Sequence, residues 1–298
     1  MTAGPSVSLL APAKINLGLE IIGKREDGYH EIRSVMAMVD IADTLKVSVA
    51  EPGAALLIEG VPGVATDDNL IARAIQRFSD VSGIRSGYEV VVTKVIPSPG
   101  GLGGASSDAA STLLALNALH GYPLPPEQIA QIAGSLGADV PFFLGSTVAL
   151  ASGTGTTLQP LPPLQGWVVL AVPSLSMVAK TPTLYRALYQ RDFTDGSRIE
   201  LGVDAIASGQ LPAPQTLHNA FERPLYGIAP ELAHHRERMF EAGAPFVALS
   251  GSGPAHYVLF DSESEARSLA SRLRSMLPVS TFVNVACFLP DRPWVQVV

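Results

Sequence analysis

The richest concentration of chemistry-bearing residues in this chain is one short run, Pro97-Ser98-Pro99-Gly100-Gly101-Leu102-Gly103-Gly104-Ala105-Ser106-Ser107-Asp108. Glycine lets backbone N–H groups approach a ligand closely and reach positive φ. The run follows a strand-like stretch and opens a helix-like one, so unpaired N–H donors and the positive end of a helix dipole converge there. Ser106 and Ser107 add hydroxyls at the same place. This is chemistry for holding a di- or triphosphate. Two common phosphate loops do not fit. A Walker A loop ends in Gly-Lys-Ser/Thr, and no lysine stands here. The dinucleotide fingerprint follows the first strand of a βαβ unit, and the strand before this loop is not one. A glycine-rich turn with a serine N-cap remains the competing reading of the loop by itself.

Two other segments carry polar groups in an ordered pattern. In Pro12-Ala13-Lys14-Ile15-Asn16-Leu17 the alternation places Lys14 and Asn16 on the face opposite Ile15, Leu17, Leu19 and Ile21. Lys14 is then either a solvated lysine on a half-buried strand or a cation turned toward an anionic ligand. Leu249-Ser250-Gly251-Ser252-Gly253-Pro254 lies between the apolar runs Phe246 to Leu249 and His256 to Phe260, which reads as strand, tight turn, strand. His234-His235 has no partner spacing for a metal site and is assigned to the surface.

The elements that would position these groups are legible in outline. Strands are expected at Val7 to Ile22, Leu45 to Val49, Ala55 to Ile58, Tyr88 to Val95, Gly145 to Ala151 and Trp167 to Val172. Asp67-Asp68-Asn69 has the composition of a helix start leading into Leu70 to Phe78. Further helices are expected at Ser107 to Leu119, Glu127 to Leu136, Thr183 to Leu188, Pro230 to Glu241 and Ser264 to Leu277. An acidic and polar stretch surrounds Asp192 to Arg198, and Gly153 to Gly166, rich in Gly, Thr and Pro, is the expected linker. Strands and helices mix without strict alternation, which favours an α+β class over a doubly wound parallel sheet.

Composition narrows the partners. The chain has 298 residues, 47% of them hydrophobic and only 16% charged, with mean hydropathy +0.28. That excludes a disordered or coiled-coil protein and gives a core that needs no disulfide or metal staple. The net charge of -7 argues against nucleic acid as the main partner. Cys287 is the single cysteine, so no internal disulfide forms and a reducing cytoplasm is expected. No signal peptide is apparent, and no apolar run approaches the roughly 20 residues of a membrane helix.

Taken together and in order, the Lys14 segment, the Gly101 to Ser107 loop and the Ser250 to Pro254 turn resemble the three motifs of the GHMP kinase superfamily, which includes galactokinase and the homoserine, mevalonate and phosphomevalonate kinases. Lys24-Arg25-Glu26-Asp27-Gly28-Tyr29-His30-Glu31 and Leu136-Gly137-Ala138-Asp139-Val140-Pro141-Phe142-Phe143 resemble its branch acting on 4-diphosphocytidyl-2-C-methyl-D-erythritol, in the non-mevalonate route to isoprenoid precursors. The resemblance implies an α+β, two-domain GHMP kinase fold. A ribosomal protein S5 domain 2-like, ATP-binding domain would span 1–163, and a ferredoxin-like substrate domain 164–298. It implies ATP, magnesium carried by ATP rather than by named protein ligands, and transfer of phosphate to one hydroxyl of the methylerythritol unit. No membrane or nucleic acid partner is implied.

Residue roles follow from the same resemblance. Asp139 is the expected general base, because a carboxylate must reach the acceptor hydroxyl. Lys14 is its expected electrostatic partner, stabilising charge on the transferring group. ATP is assigned to Asn69, Lys94, Pro97, Ser98, Pro99, Gly100, Gly101, Leu102, Gly103, Gly104, Ala105, Ser106 and Ser107, with Asn69 and Lys94 toward the adenine. The acceptor is assigned to Asn16, Tyr29, His30, Asp139, Thr181, Tyr185, Gly251, Ser252 and Gly253. Within these, His30 would read the cytosine edge and Tyr185, with Tyr29, would stack on the base. One departure is visible: Gly153-Thr154-Gly155 stands where such kinases often have a charged turn. A different GHMP kinase, such as homoserine kinase, would have no cytidine pocket. A non-catalytic nucleotide-binding regulator on this fold would be expected to lack Asp139 or Lys14, and both are present.

Overall fold

The structure, a computed structural model, describes residues 5–51, 54–61, 64–175, 180–292 and 296–297. In chain order the first half holds β1 (Ser6–Lys24), β2 (His30–Ala50), β3 (Leu57–Glu59), α1 (Leu70–Ser82), β4 (Gly87–Thr93), α2 (Gly104–Leu119) and α3 (Pro126–Leu136). Next come β5 (Val148–Gly153), β6 (Thr157–Pro160), β7 (Trp167–Val172), α4 (Lys180–Arg186), α5 (Ser197–Ala207), α6 (Glu222–Ile228) and α7 (Pro230–Glu241). β8 (Ala248–Leu249), β9 (His256–Phe260), α8 (Glu263–Met276), β10 (Phe282–Cys287) and β11 (Gln296–Val297) complete it.

β1 and β2 are a long antiparallel hairpin around the Asp27-Gly28 turn. The second half of β2 pairs with β4, which carries β3 in parallel, and its first half pairs with β5, which turns back into β6. A smaller antiparallel sheet has the order β10-β7-β9-β8. The strand pattern explains the layering. In β7, Val168, Leu170 and Val172 face a core shared with Ala13, Ile15 and Leu17 of β1 and with Val35, Ala37 and Val39 of β2. Val169 and Ala171 face the opposite way, onto α7 and α8 through Met239, Leu269 and Leu273. The other side of the long hairpin packs Met36, Met38, Leu45 and Val47 on α1, α2 and α3. The small sheet is thus buried on both faces, and β1 and β2 stand between two cores.

That double burial explains most of the differences from expectation. β2 begins at His30 rather than Leu45 because its buried middle, Val35-Met36-Ala37-Met38-Val39, has apolar residues on both faces and shows no alternation. The expected linker Gly153 to Gly166 is corrected in its first part: Gly153 ends β5, Thr154-Gly155-Thr156 form a hairpin turn, and β6 pairs with β5, so that only residues 161–166 are irregular. The Phe246 to Leu249 strand shrinks to Ala248-Leu249. α5, α6 and β10 were not expected. β10 is a half-buried edge strand without clean alternation, and α6 is only seven residues long. His235 is also corrected. It is 6% exposed, packed against the buried His256 with ring centroids 5.2 Å apart, and neither of its ring nitrogens has a partner. Its place on the inward face of α7, with Leu232 and Met239, outweighs its polarity.

Candidate active site

A cavity of about 1180 Å³ opens where β1, β2, the glycine-rich loop and α4 meet. Lys14 and Asn16 reach it from β1, on the side away from Ile15 and Leu17, as the alternation requires. Lys14 Nζ lies 3.4 Å from Asp139 Oδ2, and its side chain is only 5% exposed while that of Asp139 is 40% exposed. The carboxylate therefore fronts the cavity with the ammonium behind it. Lys14 Nζ also donates to Asn16 Oδ1 at 2.5 Å. Asn16 Nδ2 donates to Ser34 Oγ at 2.8 Å, and Ser34 Oγ in turn donates to Gly18 O at 2.7 Å. This relay fixes which end of the Asn16 amide faces the lysine.

The three motifs meet around this pair. Lys14 N donates to Leu102 O, Ser250 Oγ donates to Gly101 O, and Asn16 N donates to Ser250 Oγ. Gly103 has φ +73, and a Cβ there would lie 2.8 Å from Phe143 Cζ and 3.0 Å from Lys14 Cγ. Only glycine fits that approach. Among the described residues, no backbone N–H from Gly100 to Gly103 donates to an oxygen of the protein. These donors and the first turn of α2 form a concave cluster of positive dipoles suited to phosphate oxygens. Gly101, Gly103 and Ser106 line the cavity. Ser98, Pro99 and Ala105 are exposed on the loop, while Gly100, Leu102, Gly104 and Ser107 are buried. Pro97 is half-buried and, with the others just named, lies outside the cavity lining.

Beneath the loop stands a pair of carboxylates, Asp43 and Asp108, to which the sequence reading gave no role. Fully buried Asp43 accepts from Val95 N at 2.6 Å, Ile96 N at 2.8 Å and Lys94 Nζ at 2.5 Å. Lys94 Nζ also reaches Asp108 Oδ2 at 2.8 Å. One ammonium faces two carboxylates, and Asp43 has the extra donors. Asp108 is the group that resists ionisation: burial pushes its carboxyl well above the usual range, against the pull of Lys94. Burial also works against the Lys94 charge, but Asp108 and Asp43 outweigh it and hold that pKa raised. Lys94 is therefore locked under the loop, and Asn69, which caps α1 by accepting from Ile71 N, likewise does not line the cavity. Asp43 ends a mixed run, Val39-Asp40-Ile41-Ala42-Asp43; a carboxylate within such a run was its only signal.

Aromatic rings form a second cluster. His30 stacks on Tyr185 with centroids 5.0 Å apart, Phe193 meets His30 edge-on, and Phe221 meets Tyr185 edge-on. Burial, then Lys24, lowers the His30 pKa, so the ring is neutral at pH 7 with one donor and one acceptor nitrogen. Tyr29 lines the same cavity but is 67% exposed. Thr181 Oγ1 donates to Ser252 Oγ at 3.1 Å, and both line the cavity with Gly251, while Gly253 does not. Lys24, Arg186, Phe193 and Phe221 also line it and were not singled out in the sequence. Among the described residues no group of three or more His, Cys, Asp or Glu is arranged to hold a metal ion.

Comparison with known proteins follows the same lines. Residues 69–146 match the GHMP kinases N terminal domain, and residues 207–279 match the GHMP kinases C terminal model. A 4-diphosphocytidyl-2-C-methyl-D-erythritol kinase of Dehalococcoides mccartyi is 38% identical over 269 residues, covering 90% of this chain and 94% of that one. A crystal structure of 4-(cytidine 5'-diphospho)-2C-methyl-D-erythritol kinase superposes with a TM-score of 0.79 at 37% identity, covering 94% of this chain and 99% of the other. A homoserine kinase from Cytophaga hutchinsonii superposes with a TM-score of 0.78 at 18% identity, covering 98% and 97%, a likeness of fold alone.

Proposed function

The chain belongs to the 4-diphosphocytidyl-2-C-methyl-D-erythritol kinases of the GHMP superfamily, and on that premise we propose that Asp139 and Lys14 perform its phosphoryl transfer beside the glycine-rich loop. The reaction moves the γ-phosphoryl group of ATP to the 2-hydroxyl of the methylerythritol unit, in isoprenoid precursor synthesis. The observation that carries the assignment is the convergence of Lys14, Asp139 and Gly103 at one end of a cavity whose other residues include His30 and Tyr185.

Phosphoryl transfer leaves little covalent work for a protein, so positioning and charge stabilisation supply most of the rate. The Asp139 carboxylate takes the proton of the acceptor hydroxyl. That oxygen then bonds to the γ-phosphorus, the bond from phosphorus to the bridging oxygen breaks, and ADP departs. The loop N–H groups hold the phosphates, and Lys14 offsets charge that spreads over the transferring group. Its burial matters here, since an ammonium screened by little water acts more strongly. Magnesium takes oxygen ligands and keeps mostly phosphates and water; Ser106, a hydroxyl-bearing loop residue that lines the cavity, would offer it an oxygen donor, and the ion would neutralise phosphate charge.

Residues 1–163 supply the nucleotide loop together with Tyr29 and His30, and residues 164–298 close the acceptor end with Thr181, Tyr185, Gly251 and Ser252. His30 and Tyr185 already touch, so the cytosine takes an open face of that stacked pair, with the neutral imidazole meeting its edge. The test is to incubate the protein with ATP, magnesium and the cytidyl acceptor and locate the new phosphate by phosphorus NMR. A phosphomonoester at the 2-hydroxyl supports the reading; ADP release without acceptor phosphorylation contradicts it.

A further inference from the structure

Asn219 lines no part of the cavity and is 1% exposed, yet its side chain ties together the parts that do. Its Nδ2 donates to Leu249 O at 2.9 Å and to Gly251 O at 2.8 Å, and its Oδ1 accepts from Phe221 N at 2.9 Å. Two carbonyls on one side and one N–H on the other demand an amide: a carboxylate supplies no donor and an apolar residue neither. The backbone is anchored as firmly. Asn219 bridges Leu19 of β1, flanked by Leu19 N donating to His218 O at 2.7 Å and Ala220 N donating to Leu19 O at 2.9 Å.

Both ends of this network arrive in the site. Gly251, held by its carbonyl, sits so close to Lys14 and its amide partner Asn16 that a Cβ on it would lie 2.9 Å from Asn16 Oδ1 and 3.6 Å from Lys14 Nζ. Phe221, held by its N–H, sets its ring edge-on against Tyr185 at 4.9 Å, and Tyr185 carries His30. We propose that Asn219 is a positioning residue that locks the 250–253 loop against Lys14 and Asn16 and, through Phe221, sets the Tyr185 ring, holding the phosphoryl end and the base end of the acceptor site at a fixed separation. The inference rests on the functional reading above and goes beyond it in naming what keeps the two ends in register. Misplacement of reacting groups by about 1 Å costs on the order of a hundredfold in rate, so a residue remote from the chemistry has leverage here.

The network separates two effects that substitution can resolve. Asn219→Asp keeps an oxygen for Phe221 N but turns a second oxygen toward two carbonyls. It lowers kcat by about 10- to 100-fold while the KM for the cytidyl acceptor stays within about threefold. Asn219→Ala loses both connections; kcat falls and that KM rises as well, by about three- to tenfold. A merely structural residue would lower the melting temperature and the folded fraction, leaving kcat per folded molecule and KM as in the parent. The experiment is steady-state kinetics with each substrate varied, normalised to folded protein by thermal melting. A folded Asn219→Asp protein with parental kcat, or Asp and Ala variants with the same acceptor KM, overturns the proposal. If Asn219→Asp does not fold, Asn219→Ser, neutral and too short to span both carbonyls, carries the test: lowered kcat with raised acceptor KM supports it, parental values overturn it. A parent protein that fails to phosphorylate the cytidyl acceptor overturns the functional reading and this proposal with it, whereas an active parent with unaffected variants overturns only the proposal.

Discussion

Asp139 and Lys14 differ in burial, and that difference sets what their substitutions should do. The Asp139 side chain is 40% exposed to the cavity, so Asp139→Asn leaves folding and nucleotide binding in place and lowers turnover by about 10²–10⁴-fold. Single-turnover kinetics with a nucleotide titration checks this; near-parental turnover in the folded variant contradicts the base assignment. Lys14→Met should lower kcat by about 10²–10³-fold, the cost of one lost donor to developing charge. At the base end, Tyr185→Ala should cost about 1–3 kcal/mol of acceptor binding, seen as raised KM with ATP affinity nearly intact. Because His30 and Tyr185 touch, the loss in a His30→Ala/Tyr185→Ala double variant should be smaller than the sum of the single losses; full additivity would mean that the rings act separately. Lys14, Asn16 and Asp139 were legible as residues because the motif strings isolate them. Asp43, Asp108 and Asn219 were not, because each acts through hydrogen bonds to segments distant in sequence.

At the scale of elements, the glycine-rich loop and the α7–β9 contact make opposite kinds of prediction. A side chain at Gly103 meets Phe143 and Lys14 and must adopt φ +73. Gly103→Val should therefore weaken nucleotide binding by about tenfold or more while the cytidyl acceptor's Kd changes little; separate titrations decide, and equal losses would indicate general unfolding. Where α7 packs on β9, the geometry makes an acid-sensitive joint. Burial holds the His235 pKa down to about 4 and that of His256 down to about 3, with neighbouring His235 and then Arg236 adding to the latter. Glu222 lies near Arg236, and its carboxyl is raised by burial; Tyr226 bonds His256 Nε2 at 3.0 Å. Below the ordinary histidine pKa the unfolded chain takes up protons that these rings refuse. Stability is thus full above about pH 6.5 and falls as pH drops toward 4, by about 1–2 kcal/mol per histidine between pH 7 and 5. His235→Phe should reduce the fall in melting temperature over that range; an unchanged fall contradicts the account. Helices with clear ends, such as α7, and strands with short apolar runs, such as β7 and β9, matched their sequence signals to the residue. β2 hid because a strand buried on both faces has no period to read, and β6 hid in a stretch of Gly, Thr and Pro.

The whole molecule places its chemistry where a long hairpin is trapped between two cores. β1 carries Lys14 and Asn16 past the glycine-rich loop on one side and toward the 250–253 turn on the other, so neither half of the chain completes the site alone. The α+β mixture was readable from composition and pattern, whereas the sandwiching of the small sheet depended on pairing that no local signal contains. Homoserine kinases share this fold at low identity, so shape alone does not choose the acceptor; the proposed reading gives that choice to the His30–Tyr185 pair. The most direct measurement is kcat/KM for ATP-dependent phosphorylation across a panel holding the cytidyl acceptor, the same diphosphate without the base, and homoserine. The cytidyl acceptor should exceed the base-free analogue by about tenfold or more, homoserine should be phosphorylated negligibly, and Tyr185→Ala should shrink the first ratio toward one. Equal kcat/KM for the cytidyl and base-free acceptors, or preferred turnover of homoserine, would contradict the account.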